Sequence, residues 1–390
     1  MPLGPRATSM TVERRLVMTL WCAGLAAFTS MYAPQGLLPQ IARDMDVDAS
    51  QAALLISAAT LGLALSVLPW AWVADRVGVR TAMRTAAGSA AVCAVVVPFL
   101  PSFEALLAGR LAHGIALGGI PALAMTLSHD VAVTARVGTV AGGYIAATSV
   151  GGLSGRLLTV PVADYSGWRT ALLVMGVAVA VLMIAMIGLI PASATGGRPD
   201  GILPTVRGHL RNRAIWPILL VGMLLCGAVM TVFNYLPFRL AAAPYGLEPA
   251  VSSLIFLTYL GGTAGSRAAG RLGWRFGPHA VLGGAGVLVV VGAVVTMTIQ
   301  LAAIVVGVAL LTIGFFVGHA VASSLVAARA SVGRSQATAL YSIAYYSGAS
   351  IFGWVGGIAW AGGQWPAVAI LVIALGVAAT VCTTVSPSRL

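Results

Sequence analysis

The sequence predicts an all-α membrane protein in which twelve transmembrane helices form two pseudo-symmetric six-helix bundles. Three observations predict this fold. Hydrophobic residues make up 59% of the 390-residue chain and charged residues only 8%, whereas about a quarter of an ordinary soluble domain is charged. Apolar runs long enough to cross a bilayer recur along the whole chain. Two short motifs also recur at an offset of about half the chain length.

The twelve spans are found by cutting the chain at charges, prolines and glycine clusters, because a helix needs about 20 mostly apolar residues to cross the hydrocarbon core. The polar stretch 191–213 is a predicted cytoplasmic linker between an N-terminal bundle, residues 1–190, and a C-terminal bundle, residues 214–390. The predicted spans are residues 16–39, 50–73, 81–100, 104–128, 137–161, 168–190, 214–238, 250–270, 279–299, 301–327, 335–360 and 365–385.

The distribution of arginine predicts the orientation. The net charge of +12 comes from 22 arginines without any lysine, and the arginines cluster between apolar runs, which is typical of cytoplasmic loops and not of a nucleic-acid-binding surface. If the N-terminus is cytoplasmic, sixteen arginines fall on the inner side and only Arg43, Arg169 and Arg239 on the outer side. We therefore expect a multi-pass protein of the plasma membrane with both termini in the cytoplasm.

Two internal matches favour duplication of a six-helix unit over chance. The stretch "DRVGVR" at residues 75–80 pairs with "GRLGWR" at residues 270–275. Span five also pairs with span eleven, where Tyr144, Gly151 and Trp168 align with Tyr341, Gly348 and Trp365. Two halves of the same orientation are expected to pack about an axis along the membrane normal, with a binding site near the midplane, as alternating access requires.

The stretch after span two resembles the loop signature of the major facilitator superfamily, G-x-x-x-D-R-x-G-R-[RK]. Ala71 replaces its first glycine and Val79 replaces an arginine. The positions that match are Asp75, Arg76, Gly78 and Arg80.

Two further runs resemble motifs of the same family. "GRLAHGIALGG" resembles the R-x-x-x-G of its exporters through Arg110 and Gly114, and "ATSVGGLSGR" partly resembles its antiporter motif, with Arg156 in place of the last glycine. "SVGGLSGRLL" and "YSIAYYSGASIFG" look most like the branch of arabinose-efflux and purine-ribonucleoside-efflux proteins.

The resemblance implies a secondary active transporter and not an enzyme. It would export a small amphiphilic or drug-like compound by alternating access in exchange for protons. The alternative is export of an anionic or a sugar- or nucleoside-like metabolite bound by Arg110 and Arg156. The expected driving force is the proton gradient, with no cofactor and no metal. The expected partners are the small-molecule substrate and membrane lipids, and the protein is expected to be a monomer.

Charged residues within the spans are the first site candidates, because an arginine near the bilayer centre costs about 2.5–3.5 kcal/mol on insertion scales. Arg110 and His113 share one face of span four. They either line a cavity for substrate or proton, or Arg110 is a structural clamp on carbonyl groups. Arg156 either adds to an electropositive cavity or extends toward Asp164 at the outer surface.

No Asp or Glu lies in the middle of a predicted span, so proton coupling must use a histidine, an acid at a span end or the substrate itself. His319 is either a proton relay or a neutral core histidine. The remaining candidates for the substrate path are polar or aromatic residues of spans one, seven and eleven, which line the central path in this fold: Tyr32, Gln35, Asn234, Tyr235, Tyr341, Tyr345 and Tyr346.

The loop "WVADRVGVRTAMR" between spans two and three is a candidate gate. We expect Asp75 to face the start of span eleven near Ser335, where the positive end of the helix dipole favours an anion. Around Gly78, Arg76, Arg80 and Arg84 would anchor the loop on the cytoplasmic side. Topology anchoring alone is the simpler alternative. In the second half Arg271 and Arg275 repeat the basic residues without the acid.

Overall fold

The computed structural model describes residues 5–131, 137–191, 202–330 and 333–385, and every regular element in these ranges is helical. The first half contains α1 Pro5–Tyr32, α2 Leu38–Asp44, α3 Ala49–Val77, α4 Val79–Val96, α5 Phe103–Leu117, α6 Gly119–Val131 and α7 Val137–Leu189. The second half contains α8 Ile202–Arg211, α9 Trp216–Ala241, α10 Pro249–Ser253, α11 Thr258–Phe276, α12 Pro278–Val295, α13 Leu301–Arg329 and α14 Arg334–Val385.

Within the described ranges, nine helical segments are long and apolar enough to cross a membrane. Two of these segments, in α7 and α14, each consist of two consecutive helices. The two helices meet where the backbone leaves the helical conformation, at Gly167 in α7 and at Gly363–Gln364 in α14. The predicted eighth span is α10 with α11, which is too polar for that criterion because α11 carries Arg267, Arg271 and Arg275. With each double segment counted as two helices and this one added, the twelve predicted helices are all present.

Helix ends follow from local chemistry at two places in the first half. Asp48 caps α3 by accepting a 2.7 Å hydrogen bond from the Gln51 backbone N–H, while the Gln51 side chain accepts from the Asp48 N–H. Ser102 caps α5 through a 3.2 Å bond from the Ala105 N–H. We call the end of the bundle that carries α8 the linker end, and the end that carries Asp48 and Ser102 the far end.

The helix hairpins correct the register of the predicted repeat. Gly78 joins α3 to α4 at φ 85°, and Gly277 joins α11 to α12 at φ 81°, a conformation that favours glycine. Gly277 and not Gly273 is therefore the structural counterpart of Gly78, one helical turn beyond the pairing that the sequence indicated. Trp274 stands where the first half has Asp75, so the acid is still absent from the second half.

The predicted linker is partly helical. Its residues 192–201 lie outside the described ranges, and α8 occupies 202–211 and packs against α14. The residue boundaries of the two bundles, and which end faces the cytoplasm, stay predictions.

Glycines let the first helix of each half approach its partner closely. In the first half α1 packs on α7, where a Cβ on Gly151 would lie 2.5 Å from the Leu25 carbonyl oxygen. In the second half α9 packs on α14, where a Cβ on Gly348 would lie 2.0 Å from the Met223 carbonyl oxygen. The same aligned glycine thus sets the helix spacing in both halves.

We expect Gly348→Ala to destabilise the protein by about 1–3 kcal/mol, because the new methyl group forces α9 and α14 apart. Gly142→Ala is the matched control, since a Cβ there meets nothing within 4 Å. Thermal unfolding in detergent should show a lower Tm for Gly348→Ala than for Gly142→Ala. Equal Tm values would contradict the close approach of these two helices.

Candidate functional site

Arg156 is the centre of the candidate site. It lies in α7, eleven residues before the kink at Gly167, or about 16 Å along the helix, which is roughly half of a hydrocarbon core of about 30 Å. Its side chain is completely buried. A charge at this depth is costly unless other groups in the protein interact with it, so its partners indicate what the site can do.

The hydrogen bonds of Arg156 leave one nitrogen unused. Its Nε donates to Gln35 Oε1 at 2.5 Å and its Nη1 to the Gly152 carbonyl at 2.9 Å. Its Nη2 is buried and has no hydrogen-bond partner among the described residues. Asp164 accepts instead from Gln40 Nε2 at 3.0 Å. The structure therefore favours a cavity role for Arg156 over extension toward Asp164.

Four aromatic rings surround the guanidinium of Arg156. Its Cζ lies 4.0 Å from the ring centroid of Tyr32 and 4.6 Å from that of Tyr259, with Phe233 at 5.5 Å and Phe256 at 5.6 Å. At these distances the ring faces attract the cation. Tyr32 belongs to the first half and the other three rings to the second, so both halves contribute to the site.

Gln35 connects Arg156 to the second half. Its Nε2 donates to Asn234 Oδ1 at 2.7 Å, while Asn234 Nδ2 is buried without a hydrogen-bond partner in the described part of the chain. Ser57 Oγ is likewise buried and unpaired there. A Cβ on Gly353 would lie 2.6 Å from Ser57 Oγ and 3.2 Å from Asn234 Nδ2, so these two groups are neighbours. A buried unpaired polar group costs about 1–3 kcal/mol, which a polar ligand would recover.

Tyr235 follows Asn234 directly and contacts α14 in the same region. Its hydroxyl donates to the Gly353 carbonyl at 2.9 Å, and its ring stacks on Trp360 at 5.8 Å between centroids. Both partners belong to the second half, whereas the neighbouring bond from Ser50 Oγ to the Gly357 carbonyl, 2.7 Å long, joins the two halves. A Cβ on Gly357 would lie 2.8 Å from both the Tyr235 hydroxyl and Ser50 Cβ. These contacts place Tyr235 in the far-end interface between the halves.

Arg110 makes the contacts of a clamp. Its Nε donates to the Leu55 carbonyl at 3.2 Å, its Nη1 to the Ser30 carbonyl at 3.3 Å and its Nη2 to the Met31 carbonyl at 2.5 Å. It therefore joins α5 to both α1 and α3. Because all three nitrogens are used, the geometry favours the structural interpretation of Arg110 over a role in substrate binding.

His113 completes this clamp. Its Nδ1 lies 3.3 Å from Arg110 Nη1, and its Nε2 lies 2.9 Å from Ser30 Oγ. Arg110 has only donors, so Nδ1 accepts and the ring's proton lies on Nε2, toward Ser30. His113 is thus a neutral, fully hydrogen-bonded histidine at this site.

His319 lies in an aromatic cluster of the second half. Its Nδ1 is 2.9 Å from the Tyr341 hydroxyl, and its ring lies 4.7 Å from Tyr345 and 6.0 Å from Phe315. Tyr346 contacts Tyr345 edge to face at 4.9 Å. The structure thus brings together four of the predicted path residues, and the imidazole is only half-buried.

The loop at the linker end shows anchoring contacts. Arg84 donates to the Ile187 carbonyl at 3.3 Å, and Arg76 lies over the ring of Trp72 at 3.6 Å. Arg80 and Asp75 are half-buried. In the second half Arg271 and Arg275 are exposed, and Arg275 lies 5.2 Å from the ring centroid of Phe276.

Contacts between α3 and α14, such as the bond from Ser50 Oγ to the Gly357 carbonyl, lie at the far end and do not test the predicted Asp75 latch at the linker end. The side chain of Ser335 lies outside the described side chains, so the latch itself stays a prediction.

Sequence reasoning missed four residues of the site: Ser57, Phe233, Tyr259 and Phe256. Phe233 precedes Asn234 directly, and Ser57 is a polar residue in an apolar span, which are weak signals. Nothing in the local pattern distinguishes Phe256 or Tyr259 from ordinary lipid-facing aromatic residues.

Comparison with known proteins identifies the family to which this chain is similar. The sequence profile described as Major Facilitator Superfamily matches residues 20–352. The MFS-type transporter YybF of Bacillus subtilis, itself named uncharacterized, is 33% identical over 358 residues, or 91% of this chain and 89% of that protein. The inner membrane transport protein YnfM of Escherichia coli is 31% identical over 370 residues, or 93% of this chain and 89% of that protein.

The solved structures agree on the fold. The crystal structure of the nucleoside transporter NupG matches with a TM-score of 0.78 at 13% sequence identity, over 96% of this chain and 100% of that chain. At this identity the likeness shows the fold alone. The family match and the relatives, together with this fold, show that the chain is a multi-pass membrane transporter of a small-molecule substrate and not an enzyme. The chain belongs to the Major Facilitator Superfamily.

Proposed function

We propose that the protein exports a small amphiphilic organic anion by alternating access in exchange for protons. The observation that carries this proposal is the buried Arg156, whose Nη2 is unpaired and whose guanidinium lies among four aromatic rings from both halves. The guanidinium would bind the anionic group, and the rings would bind the apolar part. Arg110, which the sequence-based alternative also assigned to the substrate, is left out of this site because its donors are used.

The charge of the site supports an anion over a neutral or cationic compound. The described partners of Arg156 are an amide, a carbonyl and aromatic rings, so its charge is not neutralised by a carboxylate there. A carboxylate on the substrate could accept a charge-assisted bond from Nη2, and such bonds are about twice as strong as neutral ones. Asn234 Nδ2 on the facing half and Ser57 Oγ on the same half as Arg156 would offer further donors.

Alternating access would act on the same network. Gln35 is bonded at once to Arg156 in its own half and to Asn234 in the other. A carboxylate that accepted from both Nη2 and Nε would displace Gln35 Oε1 from Nε. Gln35 would then be held less firmly, which would weaken its bond to Asn234 between the halves. Opening of the far end also requires the Ser50–Gly357 bond to break. Substrate binding and opening would thus be coupled through one amide.

The motif resemblance to efflux proteins supports the direction of export. For proton coupling, the candidate carriers are the histidines, because the spans lack central acids. His319 is the better placed of the two span histidines discussed above, since it is half-buried and paired with one hydroxyl, whereas both nitrogens of His113 are engaged.

The test uses proteoliposomes loaded with naphthoate, an aromatic carboxylate, and with its neutral amide as the matched compound. We expect saturable, pH-gradient-driven movement of naphthoate that an uncoupler stops, and no saturable movement of the amide. Protein-free liposomes give the background. Naphthoate transport at the same rate with and without the uncoupler would contradict proton coupling. Equal transport of the amide and of naphthoate would contradict the anion site.

A further inference from the structure

A second cavity opens on the side of the bundle, and Arg156 is not among the residues that line it. Its volume is about 620 Å³, within the range of small-molecule sites. Three helices form its walls, α3 and α5 from the first half and α14 from the second. The residues that line it are Leu54, Ser57, Ala58, Leu61, Glu104, Leu107, Ala108, Leu111, Ser350, Ile351 and Trp354.

The mouth of this lateral cavity faces the surroundings of the bundle. Leu61, Ile351 and Trp354 line it and are 39%, 42% and 54% exposed. In a multi-pass membrane protein such exposed apolar side chains lie against lipid. A ligand with an apolar chain could therefore enter from the bilayer without passing through water.

Glu104 lies at the edge of the lateral cavity, whose lining is almost entirely apolar. It is the only charged residue among the described residues that line the cavity, and it is exposed in the first turn of α5, at the far end. Leu107 and Leu111 follow on the same face of the helix, so the apolar wall extends for about 10 Å from the carboxylate. A carboxylate at the membrane surface above an apolar slot matches a cation that carries a single alkyl chain.

We propose that the lateral cavity is a binding site for a single-chain cationic amphiphile. The ammonium group pairs with Glu104 at the far end, and the alkyl chain lies between α3, α5 and α14. Ser57 lies between this cavity and the Arg156 site, but Arg156, Gln35 and Asn234 do not line the cavity, and the proposed charge preference is the opposite, so this is a second site. Because its walls belong to both halves, the bound amphiphile holds α14 against α3 and α5 and inhibits transport.

Binding can be measured directly with radiolabelled octyltrimethylammonium on the purified protein in phosphatidylcholine nanodiscs. We expect saturable binding above that of empty nanodiscs, which tetramethylammonium and octyl sulfate fail to displace. Glu104→Gln should weaken binding about tenfold. Glu104→Lys should remove it and create saturable binding of octyl sulfate. Ala108→Trp should fill the cavity and abolish binding of octyltrimethylammonium.

Each variant has a matched control on the same protein. Glu248→Gln changes another exposed glutamate at the far end, and Ala178→Trp adds the same bulk at an exposed position of α7 outside the cavity. Both should bind octyltrimethylammonium as the unaltered protein does. Binding that equals empty nanodiscs, or that is the same in Glu104→Gln and Glu104→Lys as in the unaltered protein, would overturn the proposal. None of these measurements depends on naphthoate transport.

Discussion

Arg156→Gln is expected to weaken strongly the binding and transport of an organic anion. The substitution removes the charge and the unpaired Nη2 that would bind the anionic group. A hydrogen bond to a charged group contributes about 1.5–3 kcal/mol, so affinity for naphthoate should fall by one to two orders of magnitude. Equilibrium binding and proteoliposome flux, measured on the same preparations, check this.

Two control variants distinguish loss of the site from loss of the fold. Arg156→Lys keeps the positive charge but not the planar fork that contacts both Gln35 and Gly152, so we expect weakened but measurable naphthoate binding. Arg267→Gln removes an exposed arginine of α11 and should leave binding unchanged. If Arg156→Gln stays folded and binds naphthoate normally, the anion site at Arg156 is wrong.

Arg110→Gln is expected to destabilise the protein and to spare substrate affinity. Glutamine cannot reach the Leu55, Ser30 and Met31 carbonyls together, and it leaves His113 Nδ1 without its donor. Each charge-assisted bond contributes about 1.5–3 kcal/mol, so we expect a total loss of at least about 3 kcal/mol. Thermal unfolding in detergent should show a clearly lower Tm, while the folded fraction keeps its affinity for naphthoate.

This result would separate the two interpretations that the sequence leaves open for Arg110. A normal Tm with lost naphthoate binding would contradict the clamp and return Arg110 to the substrate path. Arg156→Gln serves as the opposite reference, since its main expected effect is on affinity.

Proximity along the helix explains which parts of the site could be predicted. The pairing of Arg110 with His113 follows from their spacing of three residues, because such side chains share a helix face. Tyr341, Tyr345 and Tyr346 all lie on span eleven and are predicted path residues, but their contact with His319 of span ten was not predicted.

Contacts between distant segments could not be predicted. Arg156 and Gln35 are 121 positions apart, and Gln35 and Asn234 are 199 apart. The repeat register shows the same limit at shorter range. The matching arginine and glycine residues aligned Gly273 with Gly78, but the backbone turn lies at Gly277. The turn is identified by its dihedral angles, which the matching residues do not specify.

The sequence by itself determined that this chain crosses the membrane as twelve helices in two related halves, because apolar length and the loop motifs are local properties. Only the tertiary structure decided which groups surround the two buried arginines. Arg110 donates to backbone carbonyls, as a clamp would, whereas Arg156 contacts aromatic rings and one amide and keeps one nitrogen unpaired among the described residues. The physical reason is that a buried charge is defined by the groups around it, and those groups come from helices far apart in the chain.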